Sequence, residues 1–144
     1  MASISYPDEE DFRIFIDLIL NGNYSIKKYL PNIDDEWYKI IVDCIEYIRH
    51  TSYYEDHLDL YDIASKILYK VAKRHELGDG NKRSGVMAVV IFCLVNDYYI
   101  DDPKYLKSQA KRVAMTRGRI NEYRMRSRVK DCLKKIMLPL QKNN

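Results

Sequence analysis

The sequence predicts an all-α domain, and three observations carry that prediction. Apolar residues recur at helical spacing in successive segments, and sustained apolar–polar alternation of the kind a half-buried strand needs is missing. One stretch, Val86 to Val95, is almost wholly apolar. A helix that is apolar on most sides is a buried one, so the expected architecture is a compact bundle of about six helices around a central helix. No internal repeat or linker divides the chain, which reads as one domain over residues 1–144.

The elements follow in order. Pro7-Asp8-Glu9-Glu10 starts a first helix, with proline and acidic residues at the positive end of the dipole. Phe12, Ile16, Ile19 and Leu20 form its apolar face, and Asn21-Gly22-Asn23 stops it. Asp34-Asp35-Glu36 opens a second, with Trp37, Ile40, Ile41, Cys44, Ile45 and Ile48 facing the core. Arg49 to Leu60 breaks the period and reads as a loop or a short β-hairpin. A third helix is expected from about Tyr61 to Arg74, and a fourth from Asn81 or Lys82 to about Asn96. Asp101-Asp102-Pro103 opens a fifth, with Tyr105, Leu106, Ala110 and Val113 inward. Arg117-Gly118-Arg119 interrupts, and a last helix carries Met125, Val129, Leu133, Ile136 and Met137.

With 47% apolar and 31% charged residues the chain is globular, not disordered. Its net charge of +3 hides an asymmetry. Residues 1–62 hold 5 basic and 14 acidic side chains, net −9, whereas residues 103–144 hold 13 and 2, net +11. The cations are spread through helical periods, so they read as solvated faces answering the acidic third within one fold, and nucleic acid is not the expected partner. Cys44, Cys93 and Cys132 are far apart and set in apolar patterns, as buried thiols of a reduced cytosolic protein are. Met1-Ala2-Ser3-Ile4-Ser5 followed by acidic residues shows no secretory signal, and Val86–Val95 is too short to span a bilayer. The expected location is the cytoplasm, without a membrane partner.

One run stands out between the third and fourth helices: His75-Glu76-Leu77-Gly78-Asp79-Gly80-Asn81-Lys82-Arg83-Ser84-Gly85. At a helix start the backbone N–H groups of Gly80, Asn81, Lys82 and Arg83 would face the loop, where the dipole favours an anion. Gly78 and Gly80 allow positive φ and close backbone approach. Lys82 and Arg83 add full charges, Arg83 as a fork suited to phosphate oxygens. Asp79 is a hard oxygen ligand suited to Mg²⁺ on phosphates, and His75 is a side chain able to accept a proton near neutrality. Neither common phosphate loop fits. A Walker A sequence would need lysine and then serine or threonine after Gly85, where Val86-Met87 stand. A dinucleotide fingerprint would need glycine at Arg83 and a preceding strand.

Here the chain resembles the Fic/Doc (Fido) family, whose signature is His-x-Phe-x-Asp/Glu-Gly/Ala-Asn-Gly/Lys-Arg between two helices. His75, Asp79, Gly80, Asn81, Lys82 and Arg83 match it position for position. The flanking Ala64–Tyr69 and Phe92–Asp97 segments, the Asp101-Asp102-Pro103 helix and the closing Val129–Leu138 helix are similar to the compact Doc-type members. The resemblance implies that His75 deprotonates a target hydroxyl, that Asp79 holds Mg²⁺, and that the amides of Gly80, Asn81 and Lys82 with Arg83 form an anion hole for ATP. Glu76 departs from the proline usual in nucleotidyl-transferring members, and Leu77 replaces a packing phenylalanine. Lys82 stands where those members usually have glycine, whereas Doc-like kinases have lysine.

The leading expectation is a Doc-like toxin kinase that moves the ATP γ-phosphate to a threonine or serine of a translation factor, elongation factor Tu being the family's precedent. A Fic-type adenylyltransferase (AMPylation) and a non-catalytic interaction module are the alternatives. The family's target-docking flap maps onto Arg49–Leu60, with Thr51, Tyr53 and Tyr54 as candidate docking residues. Thr51 to Glu55 matches the family's inhibitory pattern weakly, because Asp56 occupies the place of glycine or asparagine. A separate antitoxin protein is therefore the expected regulator.

Overall fold

The computed structural model describes residues 3–141. Met1 and Ala2, which open the segment read above as lacking a secretory signal, and residues 142–144 lie outside that range. Among the described residues there are six α-helices: α1 (Glu9–Asn21), α2 (Asp35–Ser52), α3 (Leu60–Ala72), α4 (Asn81–Val95), α5 (Pro103–Met115) and α6 (Arg119–Ile136). Short 3₁₀ turns cover Ser25–Tyr29 and His75–Gly80. Two three-residue strands, β1 (Tyr98–Ile100) and β2 (Met137–Pro139), pair antiparallel, with Tyr99 opposite Leu138. The all-α class and the buried central helix are as the sequence predicts.

Capping sets most helix starts. Asp8 accepts from the Asp11 N–H at 2.8 Å while Asp11 accepts from the Asp8 N–H at 3.0 Å, a reciprocal box that satisfies two orphan donors. Asp59 and Asp62 repeat it at α3. Asp34 caps α2 through the Trp37 N–H, and Asp102 caps α5 through the Tyr105 N–H with Pro103 at its first position.

From Ser84 to Cys93 every residue of α4 is buried. It packs against α3 and α5, and then β1 and α1. Gly85 permits the close approach to α3, since a methyl there would stand 3.2 Å from Leu68 Cδ1 and 3.5 Å from Ala72 Cβ. The end of α3 and the start of α4 are thereby clamped together, and the motif is the link between them.

Several expectations need correcting. Leu20 and Tyr105 were expected inward but are 44% and 41% exposed, because each sits at the edge of its helix's apolar stripe. Arg49–Leu60 takes the loop alternative. α2 continues to Ser52, with Thr51 Oγ1 donating to the Tyr47 carbonyl at 2.9 Å, and the chain then turns without a strand. The short antiparallel pairing forms instead between β1 and β2, after the fourth and sixth helices. Charge balance between the chain's ends also differs. Among the described residues of the basic third, Lys130 is the one that pairs with a carboxylate of the acidic third, at 2.7 Å from Asp62 and 3.9 Å from Asp59. Most of the other described cations of that third are exposed.

Candidate active site

The motif follows from how α3 ends. Its last residue is Ala72, and an extended Arg74 turns the chain out of the helix. The helix thus stops two residues short of the expected Arg74, and His75 opens a 3₁₀ turn. At Gly78 the backbone takes φ +55° and ψ −138°, a conformation L side chains rarely adopt, so glycine is required there. Gly80 was expected to share that freedom but has φ −80°, and a methyl on it would meet Pro31 Cβ at 3.5 Å, an ordinary contact.

Asn81 anchors the loop. It is buried, donates from Nδ2 to the Ala72 carbonyl at 2.6 Å, and accepts the Lys82 N–H on Oδ1 at 2.9 Å. The amide thus ties the end of α3 to the first turn of α4. This arrangement corrects the expected cradle of free amides. The Asn81 N–H donates to the Gly78 carbonyl and the Lys82 N–H to the Asn81 side chain, so both are already engaged. The Lys82 ammonium lies 3.5 Å from Asn81 Oδ1, folded toward the loop.

Asp79, Gly80, Arg83, Leu77 and Glu76 line a cleft of about 540 Å³ closed on its other side by Pro31, Trp37 and Glu36. Trp37 Nε1 donates to the buried Ser84 Oγ at 2.8 Å and pins α2 to α4 behind that wall. Arg83 donates to the Lys28 carbonyl at 3.4 Å. Near it the Lys107 ammonium is pushed below its ordinary value, by burial first and then by the Arg83 and Lys111 charges, so the Arg83 side of the loop is cationic. Asp79 is exposed and is in no ion pair or hydrogen bond among the described residues. Those residues hold no cluster of three His, Cys, Asp or Glu side chains fit to cage a metal. One free carboxylate does suit Mg²⁺ bound mainly through phosphates and water.

His75 does not share this cleft. It lines a smaller one, about 250 Å³, with Lys73, Asn81 and Arg117. The structure thus gathers Gly80, Asp79 and Arg83 on one side of the loop and sets His75 on another. The flap residues stand apart from both. Tyr53 and Tyr54 are 82% and 86% exposed and make an edge-on pair with centroids 5.2 Å apart. They precede α3, whereas the motif follows it, so the length of α3, about 20 Å, separates them. Glu55, from the weak inhibitory pattern, is held by Lys66 at 2.7 Å.

Sequence reasoning missed Glu36, Arg117 and the Arg74–Glu76 pair, which closes at 2.8 Å beside His75. Glu36 carried only a helix-start signal and Arg117 only a helix-break signal, so spacing alone could not have found them. The cysteines are buried, and burial pushes the Cys93 and Cys132 thiols up to about 12, which removes them as nucleophiles or metal ligands. None of the helices among the described residues is long and apolar enough to cross a membrane. No model of a known protein family matches the chain, and no curated protein matches it. The Fic/Doc resemblance accordingly rests on the motif and its helical setting.

Proposed function

We propose that this protein is a single-domain, cytoplasmic Fic/Doc-type transferase that modifies a hydroxyl of a target protein, with the Doc-like kinase reaction as the preferred form. The observation that carries the reading is the placement of the His75–Arg83 run. It links two clamped helices, opens the buried central helix, and puts Asp79, Gly80 and Arg83 on the wall of a nucleotide-sized cleft. In this reading the ATP phosphates lie along Gly80 and Arg83. The target serine or threonine arrives from the side of His75, which takes the hydroxyl proton as the oxygen attacks the γ-phosphorus. The O–P bond to the target forms, the bond to ADP breaks, and Arg83 balances charge on the phosphates. Asp79 would hold Mg²⁺, which supplies neutralisation of phosphate charge. The target would be a translation factor such as elongation factor Tu, and a separate antitoxin protein would restrain the toxin.

Lys82 is what supports the kinase form, whereas Gly80 follows the Fic form, where Doc has alanine. The test is incubation with Mg²⁺, ATP and bacterial lysate, followed by intact mass of the modified protein. A gain of one phosphate, with label arriving from γ- but not α-labelled ATP, is the expected result. A gain of one nucleotide monophosphate would make the protein an adenylyltransferase and sink the kinase form. The separation of His75 from the Asp79 cleft favours a second reading, a non-catalytic interaction module. His75→Ala that leaves cellular toxicity unchanged would decide for it.

A further inference from the structure

A second cleft, about 530 Å³, opens between α2, α3 and α6, away from the Asp79 wall. Five cations line it: Lys66, Lys70, Lys73, Arg74 and Arg126. Against them stand two carboxylates, Glu55 and Glu122, so its lining carries net +3. Lys66 and Lys73 are paired, at 2.7 Å to Glu55 and 3.4 Å to Glu122. Lys70 and Arg126 are in no ion pair among the described residues. They lie instead over aromatic faces, Lys70 at 3.8 Å from the Tyr47 centroid and Arg126 at 5.1 Å from that of Tyr69.

Two buried donors in this wall lack partners. Tyr69 is 6% exposed, and its hydroxyl makes no hydrogen bond among the described residues. Burial first, then the Glu122 charge and a contact toward its carboxylate that falls outside ordinary hydrogen-bond geometry, push that hydroxyl above its ordinary pKa, with Arg126 opposing. Arg74 Nε is likewise buried and unpartnered, although Arg74 Nη2 reaches Glu76. Buried polar groups are seldom left unmatched, and each such group calls for an explanation. Two orphan donors among surplus cations are complementary to an oxygen-rich anion.

We infer that the cleft between α2, α3 and α6 is a binding site for a small phosphate-bearing ligand. A small ligand is favoured over a nucleic-acid strand because the unpaired cations and the unpartnered donors converge on one cleft of about 530 Å³. The inference does not rest on the transferase reading. Its test is calorimetric titration of the full chain with inorganic pyrophosphate, at low ionic strength and without divalent cations. Saturable binding is expected, weakened at least tenfold by Arg126→Ala and severalfold by Tyr69→Phe. Both variants should fold: Arg126 is exposed, and Tyr69→Phe deletes only an unpartnered hydroxyl. Lys134→Ala, which removes an exposed cation of α6 outside the cleft, should leave affinity unchanged. Absence of pyrophosphate binding, or weakening by Lys134→Ala equal to that by Arg126→Ala, overturns the site. Loss of affinity in Arg83→Ala with Arg126→Ala unaffected overturns it too, by moving the anion to the motif. Tighter binding of an RNA oligomer than of pyrophosphate through Arg126 would overturn the small-ligand assignment.

Discussion

The cleft beside the motif and the cleft between α2, α3 and α6 are nearly equal in size, yet their walls are opposite in charge. The first is lined by Asp34, Glu36, Glu76 and Asp79 against Arg83 alone, and the second by five cations against two carboxylates. The His75–Arg83 run, proposed above to hold phosphates, thus borders an acidic wall. In physical terms a polyphosphate entering there meets net repulsion unless a divalent cation accompanies it, whereas the second cleft attracts an anion directly. The Arg74–Glu76 pair joins them, since Arg74 lines the second cleft and Glu76 the first.

The largest effect is expected at His75. His75→Ala should cut transfer to the target by about 10²–10⁴-fold, the usual loss for a general base, while nucleotide binding persists. Parallel loss of binding and transfer, read by single-turnover kinetics, would mean that His75 positions the loop and that the two sides of the motif are not separate. Next comes the metal. With a chelator, or in Asp79→Ala, transfer should vanish and ATP affinity should fall about tenfold or more, whereas pyrophosphate affinity at the cationic cleft stays put. If chelation spares ATP binding, the acidic wall is not what demands a cation, and the contrast between the clefts loses its meaning.

A smaller effect concerns the clamp behind the motif. Asn81→Ala removes the bond to the Ala72 carbonyl and should cost about 1–3 kcal/mol in urea unfolding. Trp37→Phe, which leaves Ser84 Oγ unmatched, should cost a similar amount without altering the cationic cleft. The smallest is a pH dependence at Asp62. Burial alone would raise that carboxyl, but the Asp59 N–H, Lys130 and the Asp59 side chain together hold it below its ordinary value. Its stabilisation is therefore full above the unfolded carboxylate value, about 4, and is lost as pH falls through the depressed folded value. Thermal midpoints of wild type and Lys130→Met should differ near neutrality and converge in acid. A gap that persists in acid would assign Lys130 some other role.

Much of the fold was legible in the chain because most helices announce themselves twice, by a cap and by a period. Asp34 capping α2 and Trp37, Ile41 and Ile45 lining it are one example. The apolar run in α4 is another, since full burial is the one state in which such a helix avoids water. The motif was legible because its residues are contiguous. Local signals failed where a side chain sat on a margin, as at Leu20 and Tyr105. They failed too where a partner was distant in sequence, as in the β1–β2 pairing and the contact of Trp37 with Ser84.

The sequence by itself determined the helical class, the caps, the buried core helix and the identity of the loop residues, because all of these depend on neighbours within a few positions along the chain. Only the tertiary structure decided that His75 and Asp79 line different clefts, and that Asn81 and Lys82 spend their amides within the loop. It alone also brought Lys66, Tyr69, Arg74 and Arg126 together, across α3 and α6. These outcomes depend on how far apart helices pack and how a chain leaves a helix end, quantities that contacts between remote residues fix and that spacing along a sequence does not contain.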